Sequence, residues 1–331
     1  MRCLVVGAGV AGLTTALSLV ERGATVEVVD RGSHLGARSC SWFAGGMLAP
    51  WCERESADEA VLRRGLAALA WWRERFPETV AAGTLVVAPA RDGAELERFS
   101  RRTSGFDMVG PDAIATLEPA LAGRFSRGLH FPHEGHLDPR RALAALARRL
   151  AEAGVPIRFD TDVTDFAIDA DRIFDCRGFA AREQRPPLTP ASALRGVKGE
   201  MLLVRSTEVR LSRPVRLLHP RMPLYVVPRA DGLFMIGATM IESEERGRIT
   251  ARSMMELLGG AFALHPAFGE AEIVEVGTDV RPAYPDNLPA VDVDGRTIRI
   301  NGLYRHGFLL SPWCARRAVA AAYGEPWEDH E

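Results

Sequence analysis

The sequence has almost no excess of charge, because 41 Lys and Arg residues stand against 43 Asp and Glu residues, for a net charge of −2. This balance offers no bulk attraction to nucleic acid or to an anionic membrane surface, so we expect neither as a partner. Cysteine is scarce as well. The five cysteines form no C-x-x-C pair, which argues against a disulfide framework and a zinc site and suits a reducing compartment.

Long apolar runs are also missing. The most apolar stretch, residues 3–20, is interrupted by three glycines and is too short to cross a bilayer. Glu21-Arg22-Gly23 follows it without the cleavage pattern of a signal peptide. The chain has 331 residues, of which 47% are hydrophobic and 25% are charged, as in soluble globular proteins of one large or two smaller domains. We therefore expect a cytoplasmic protein.

The first thirty residues contain a strand, a glycine-rich turn, a helix and a second strand. Cys3–Val6 is a short apolar strand, residues 7–12 have the pattern G-x-G-x-x-G, and Thr25–Val29 is a second strand that ends before Asp30. The three glycines allow a tight turn, a close approach to a pyrophosphate, and close packing of helix on strand. The helix N-terminus attracts the pyrophosphate, and Asp30 can accept hydrogen bonds from a ribose. This segment predicts a dinucleotide site and by itself leaves NAD and FAD open.

The rest of the chain mixes helices with a second kind of sheet. Apolar spacing predicts four further helices, at residues 58–76, 138–154, 250–264 and about 308–322. Residues 199–240 form strand-like runs around a turn at Asp231-Gly232, which is typical of an antiparallel sheet. The interpretation is an α/β protein with two discontinuous domains and a pocket between them. The dinucleotide domain would comprise residues 1–55, 130–185 and 275–331, and the substrate domain residues 56–129 and 186–274.

Eight motifs occur in order over nearly the whole chain. They are "GAGVAGL" with Asp30, "SCSWFAGGMLAP" (39–50), "GHLDPRRAL" (135–143), "DCRG" (175–178), "RGVKGEMLLVR" (195–205), "YVVPRADGLFMIGATM" (225–240), "VRPAYPDNLP" (280–289) and "NGLYRHGFLLSP" (301–312). Together they resemble the glycine oxidase branch of the D-amino acid oxidase family of flavoproteins. The resemblance implies a Rossmann-like FAD-binding domain of the glutathione-reductase type with an inserted, mostly antiparallel β substrate domain.

The resemblance also implies an FAD-dependent oxidase that deaminates glycine or a similar small amino acid. Glycine would give glyoxylate, ammonia and hydrogen peroxide, with molecular oxygen as the second substrate and hydride transfer from Cα to flavin N5. This chemistry needs positioning rather than a side-chain acid or base, so we predict no catalytic side chain. Many family members serve thiazole assembly in thiamine biosynthesis, which here would mean supply of glycine imine. Whether the protein forms a homo-oligomer stays open.

The flavin nucleotide is implied to lie along several separate segments. The cofactor-binding residues are Gly7, Gly9, Val10, Ala11, Gly12, Asp30, Arg31, Ser41, Gly45, Gly46, Met47, Arg177, Gly178, His306, Gly307, Phe308, Leu309 and Leu310. The paired glycines at 45–46 suit backbone that passes close to a phosphate or a flat ring. Where related sarcosine oxidases carry the cysteine that attaches their flavin, this chain has Thr278-Asp279, so we predict noncovalent FAD.

Four residues are implied to bind the substrate: Arg281, Tyr225, Met240 and Arg305. An amino-acid substrate must be held at its carboxylate, away from the reacting bond, and a guanidinium does this with a defined orientation. Arg281 follows the extended run Val274–Val280 and precedes Pro282. The sequence therefore predicts a carboxylate anchor at a strand end, stiffened by a proline turn.

Other functions stay open from the sequence. Within the same family the alternatives are a D-amino acid oxidase, a sarcosine oxidase, or a dehydrogenase that uses a quinone instead of oxygen. A more distant alternative is an NAD-dependent oxidoreductase, for which the glycine turn before the last helix has no evident use. A further one is a flavin-binding protein without turnover.

Overall fold

The computed structural model describes residues 1–164, 168–184, 193–220 and 223–327. Its strands in chain order are β1 (Arg2–Val6), β2 (Thr25–Val29), β3 (Met47–Leu48), β4 (Thr84–Val87), β5 (Asp107–Val109), β6 (Gly128–Phe131), β7 (Gly135–His136), β8 (Ile157–Arg158), β9 (Arg172–Asp175), β10 (Arg195–Arg205), β11 (Val215–Leu217), β12 (Leu224–Pro228), β13 (Leu233–Gly237), β14 (Ile241–Glu242), β15 (Glu272–Ala283), β16 (Ala290–Asp294) and β17 (Thr297–Asn301). Its α-helices are α1 (Val10–Glu21), α2 (Pro50–Glu53), α3 (Glu59–Gly65), α4 (Ala68–Arg75), α5 (Gly93–Ser100), α6 (Pro111–Leu117), α7 (Pro139–Glu152), α8 (Ala251–Leu264) and α9 (Gly307–Tyr323).

One sheet carries the N-terminal fingerprint. It has six strands in the order β16-β17-β9-β1-β2-β8. All neighbours are parallel except β16, which pairs antiparallel with β17. Helices α1, α7 and α9 bury their apolar faces together in its core, with Leu13, Leu143 and Leu310 each at 0% exposure. Parallel strands need such helical crossovers and covers, which confirms the predicted Rossmann-like α/β architecture.

The second sheet is mostly antiparallel, also as predicted. Eight of its nine strands follow the order β14-β10-β13-β12-β11-β4-β6-β5. The ninth, β15, pairs antiparallel with β10 over nearly the full length of both strands. The predicted turn at Asp231-Gly232 joins β12 to β13. The pair β11–β4 is parallel. A separate apolar core lies beneath α6 and α8 and includes Leu202, Val226 and Leu257.

Two local predictions were wrong. The single helix expected at 58–76 is two helices, α3 and α4, and Leu66, which lies between them, is 51% exposed. At Gly65 a Cβ would lie 2.9 Å from Leu309 Cδ1, so close packing against α9 falls at the point where α3 ends. Arg281 does not stand at a strand end. It pairs with Val197 inside β15, which continues through Pro282 to Ala283.

The predicted domain boundaries stay predictions, and several structural facts bear on them. Strand β6 spans the boundary at 130, and β15 spans the boundary at 275. Helices α3 and α4 fall in the predicted substrate domain, but Val61 and Trp72 belong to the same core as α9. The boundary at 185 lies outside the described residues. Within the described ranges, no helix is long and apolar enough to cross a membrane.

Candidate active site

The glycine-rich turn between β1 and α1 leaves an open helix N-terminus. Gly7 has a φ of +105°, and a Cβ on it would lie 2.7 Å from the carbonyl oxygen of Cys176. A Cβ on Gly12 would lie 1.8 Å from the carbonyl oxygen of Gly7, so Gly12 serves close packing. Gly9 caps α1 without a side-chain hydrogen bond. The Val10 N–H donates a hydrogen bond to Ser41 Oγ at 3.2 Å, and the first turn of α1, at Val10 and Ala11, lies on a cavity that Gly9 also lines.

This cavity, named here the dinucleotide cavity, encloses about 920 Å³. The predicted cofactor-binding residues that line it are Gly7, Gly9, Val10, Ala11, Asp30, Arg31, Ser41, Arg177, Gly178 and Gly307. The Asp30 carboxylate accepts hydrogen bonds from the backbone N–H of Ala8 at 2.6 Å and of Gly32 at 2.7 Å. These bonds hold the carboxylate at the carboxyl edge of the parallel sheet, where open α/β sheets bind nucleotides.

A second cavity, the central cavity, encloses about 830 Å³ and continues from the first. Both cavities are lined by Val10, Cys40, Ser41 and Tyr304, among other shared residues. The predicted residues that line the central cavity but not the dinucleotide cavity are Gly45, Gly46, Met47, His306, Phe308 and Leu309, together with Tyr225, Arg281 and Arg305. The described residues thus form one continuous cleft along both predicted sites. Gly12 and Leu310 are absent from the described lining of either cavity.

The central cavity has bare backbone and a second helix end on its wall. Gly46 has a φ of +72°, and a Cβ on it would lie 2.2 Å from the carbonyl oxygen of Leu137. A Cβ on Gly45 would lie 2.9 Å from Tyr225 Cε2. Helix α9 begins at Gly307, and its N-cap, His306, makes no side-chain capping hydrogen bond. Two helix N-termini, those of α1 and α9, therefore lie on the same cleft.

Arg281 reaches the central cavity from β15. Its Nη1 donates a hydrogen bond to the carbonyl oxygen of Thr239 at 3.0 Å. Among the described residues, no carboxylate forms an ion pair with it. On the neighbouring strand a Cβ at Gly199 would lie 2.2 Å from Arg281 Nη2, so the glycine leaves room for the guanidinium. A half-buried guanidinium that has a backbone carbonyl as acceptor, and no carboxylate partner among the described residues, is a natural site for an anion.

The other predicted substrate residues lie on both sides of this arginine. A third cavity, the outer cavity, encloses about 1030 Å³ and shares Tyr225, Arg281 and Arg305 with the central cavity. Burial raises the pKa of the Tyr225 phenol, which therefore stays a hydrogen-bond donor at neutral pH. Met240 is 55% exposed and lines the outer cavity rather than the central one.

Sequence reasoning missed an acidic residue beneath this wall. Glu53, on α2, is 6% exposed. Its Oε1 lies 2.6 Å from Arg216 Nη2, and its Oε2 lies 2.8 Å from Arg305 Nη2 and 3.5 Å from His306 Nδ1. These four residues are named the Glu53 cluster. Glu53 and Arg216 lie far in the chain from each other and from the adjacent pair Arg305 and His306, and no local pattern links them, so the sequence carried no signal for the cluster.

The Glu53 cluster carries a net positive charge. Burial alone would raise the pKa of Glu53, but Arg305 and Arg216 outweigh it and hold the pKa at about 2, so the carboxylate is ionised. Burial lowers the pKa of His306 to about 4 against the opposing effect of Glu53, so the imidazole is neutral at neutral pH. Two guanidinium groups against one carboxylate leave one positive charge.

Comparison with known proteins agrees with this geometry. The family described as "FAD dependent oxidoreductase" matches residues 2–321. The chain belongs to this family. It is 57% identical over 330 residues to a candidate thiamine biosynthesis oxidoreductase, ThiO, of Rhizobium etli, covering 98% of each chain. It is also 26% identical over 351 residues to the glycine oxidase of Pseudomonas aeruginosa, covering 95% of this chain and 93% of that one.

A solved structure shows the same fold. The glycine oxidase of Geobacillus kaustophilus superposes with a TM-score of 0.80 at 24% identity, covering 98% of this chain and 96% of that one. The predicted resemblance to the D-amino acid oxidase family is confirmed, and with it the mixed α/β fold, the class of FAD-dependent oxidoreductase and the cofactor FAD.

The continuous cleft fits the FAD of this oxidoreductase family. A dinucleotide with a flavin is long, and two joined cavities of about 920 and 830 Å³ provide an extended site. Each cavity has a helix N-terminus on its wall, which suits the pyrophosphate in one and electron-rich flavin oxygens in the other. The positions where a Cβ would collide with backbone, at Gly7 and Gly46, show that main chain itself forms parts of the wall.

The cysteines nearest to the cleft are not activated thiols. Cys40 lines both cavities, and Cys176 lines the dinucleotide cavity. Burial raises the pKa of the Cys40 thiol to about 12 and also raises that of Cys176. A thiol attacks as its thiolate, so neither is a ready nucleophile toward a flavin ring.

Proposed function

We propose that this FAD-dependent oxidoreductase is an oxidase of glycine or a similarly small amino acid. Glycine, oxygen and water would give glyoxylate, ammonia and hydrogen peroxide. The observation that carries the proposal is Arg281, a half-buried guanidinium in the cleft with a backbone carbonyl as its acceptor and no carboxylate partner among the described residues. The glycine oxidase name of the Pseudomonas aeruginosa relative supports the same substrate class.

Arg281 and Tyr225 are the proposed carboxylate-binding pair. The guanidinium can hold both carboxylate oxygens, and a protonated phenol beside it can donate a further hydrogen bond. Burial keeps Tyr225 protonated, and Gly45 makes room for its ring. The pair would fix one end of the substrate, so that the α-carbon and the amine can be directed toward the flavin side of the central cavity.

The residues of the cleft are proposed to hold FAD without a covalent bond. The first turn of α1 and Asp30 would hold the adenosine diphosphate part, and Gly45, Gly46 and the start of α9 would hold the flavin. Bound FAD would supply the two-electron oxidation of the amine, which no side chain can provide. The raised thiol pKa of Cys40 supports dissociable rather than covalent binding.

A role in thiamine biosynthesis is the proposed biological setting. The Rhizobium etli relative, at 57% identity, bears the name of a thiamine biosynthesis oxidoreductase. Oxidation of glycine at carbon gives an imine before hydrolysis, and that imine is what a thiazole-forming reaction would consume.

The test is anaerobic mixing of the FAD-bound protein with glycine, sarcosine and D-alanine while flavin absorbance near ~450 nm is followed. We expect glycine to bleach the flavin, and peroxide to form in stoichiometric amounts once oxygen is admitted. Reduction by glycine without peroxide would indicate a dehydrogenase, and no reduction by any amine would refute the proposal.

Replacement of the anchor tests the residue assignment. Arg281→Ala should raise the KM for glycine by tens- to thousands-fold with FAD retained, because loss of an ion-paired anchor costs about 2–5 kcal/mol. Arg98→Ala is a matched control, since Arg98 lines the outer cavity but is already paired with Glu95 at 2.5 Å. Unchanged glycine kinetics in Arg281→Ala would contradict the anchor.

A further inference from the structure

We propose that the active site has a second anion subsite, formed by Arg216 and Arg305 where they line the outer cavity. The favoured substrates would then be amino acids with a second carboxylate, carried on the nitrogen or on the side chain, with glycine as the minimal substrate. This inference rests on the proposed amino acid oxidase function and specifies its substrate class.

The first argument is charge. The outer cavity is lined by Arg98, Arg216, Arg281 and Arg305 and by Glu53, Glu55 and Glu95. Arg98 pairs with Glu95 at 2.5 Å, and Glu55 pairs with Arg102 at 3.4 Å, so these groups compensate each other. Among the described lining residues this leaves Arg281, which forms no ion pair, and the Glu53 cluster with its one excess positive charge; Asp279, which lines the central cavity, also interacts electrostatically with Arg281. The α-carboxylate of an amino acid neutralises the first and leaves the second without a counter-ion.

The second argument is hydrogen bonding. Arg305 Nη2 donates a hydrogen bond to Ser56 Oγ at 2.6 Å and forms an ion pair with Glu53 Oε2 at 2.8 Å. Arg305 Nη1 donates to the thioether sulfur of Met240 at 3.5 Å. Sulfur is a weak acceptor, and Met240 is 55% exposed, so the side chain can move aside at little cost. A carboxylate oxygen would be a far better partner for this donor.

The third argument is position. Tyr225, Arg281 and Arg305 line the outer and the central cavity together, so the proposed subsite and the α-carboxylate anchor belong to one connected space. The Glu53 carboxylate lines the same two cavities and lies 2.6 Å from Arg216 and 2.8 Å from Arg305, so it keeps both guanidinium groups in place. The outer cavity is open to solvent, and its space of about 1030 Å³, which includes its open mouth, leaves room for a substituent that glycine lacks.

The test compares acids with neutral amides of the same shape. The holoenzyme is assayed with iminodiacetate against its monoamide, and with D-aspartate against D-asparagine. A charge-assisted contact should favour the acid by about ten-fold or more in kcat/KM in at least one pair, and the pair affected identifies where the second carboxylate is carried. Dissociation constants of the same ligands, from perturbation of the flavin spectrum without oxygen, should show the same preference.

Variants assign the preference to the cluster. In Arg305→Met the acid-to-amide ratio should fall to about one, because Arg216 and Glu53 then compensate each other, whereas Arg305→Lys should restore part of it. Arg98→Met removes a charge from the same cavity and should keep the wild-type ratio. Equal kcat/KM and equal binding of acid and amide in both pairs would overturn the subsite, even if glycine is oxidised. Flavin that no amine reduces would instead refute the proposed function, while the binding comparison would still decide the subsite.

Discussion

Glu53→Gln is the substitution that most directly tests the electrostatics of the candidate site. It keeps the shape of the side chain but removes the one negative charge that lies between Arg216 and Arg305 at 2.6 and 2.8 Å. Removal of one member of a buried ion pair leaves the partners' charges uncompensated in a poorly solvated place. The variant should therefore be less stable than the wild type at neutral pH.

The magnitude follows from the pKa of Glu53, which is held at about 2 against an ordinary value of 4.5. A difference of about 2.5 corresponds to about 3 kcal/mol. Because the folded-state pKa lies below the unfolded one, this contribution is fully present above pH 4.5 and is lost as the pH falls toward 2. It should be about 3 kcal/mol at pH 7 and about 2 kcal/mol at pH 3.5.

The measurement is urea unfolding of wild type and Glu53→Gln at both pH values, with FAD in equal excess. Glu55→Gln is the control, because Glu55 pairs with an exposed arginine, Arg102, at 3.4 Å, and such pairs contribute less than about 1 kcal/mol. Equal stability of Glu53→Gln and wild type at pH 7 would refute the reasoning. So would a stability difference that grows as the pH falls.

Three further outcomes follow from the cleft. Gly46→Ala should lower the FAD content and the midpoint of unfolding, since its φ is +72° and the new Cβ would lie 2.2 Å from a carbonyl oxygen. Gly110→Ala, with open space around the new Cβ, is the control and should leave the FAD content unchanged. His306 should keep a neutral imidazole from pH 8 down to about 5 in NMR titration, because burial lowers its pKa to about 4. Since this folded-state pKa lies below the ordinary value of 6.5, the stability that His306 contributes is present above pH 6.5 and is lost toward pH 4. A titration midpoint near 6.5 would contradict this. Acid precipitation should release all flavin into the supernatant, and flavin in the pellet would show a covalent bond.

Local signals in the sequence were sufficient for the dinucleotide half of the site. This half is encoded in one short segment, which contains a strand, three spaced glycines, a helix and an acid at residue 30. The role of each of these residues depends on the backbone conformation of its immediate neighbours in the chain. The structure shows the predicted tight turn at Gly7 and the predicted close packing of helix on strand at Gly12. The resemblance then extended this reading to Gly45, Gly46 and Gly307, which line the cleft with it.

Tertiary packing decided the points at which local patterns were wrong. The apolar spacing of residues 58–76 continues without interruption, but packing of Gly65 on Leu309 coincides with the end of α3. The proline after Arg281 suggested a strand end. Pairing of β15 with β10 nevertheless continues to Ala283, because the long antiparallel partner supplies a template that a short sequence window does not contain.

The sequence by itself predicted the fold class from short motifs whose backbone geometry is locally encoded, and the family resemblance of those motifs predicted the cofactor; Arg281 as carboxylate anchor stays a prediction. Only the tertiary structure brought Glu53 from α2 and Arg216 from β11 to the wall beside Arg305 and His306. Charges this far apart in the chain interact only after folding has removed the water between them. The Glu53 cluster, and with it the excess positive charge of the outer cavity, is therefore a property of the folded molecule alone.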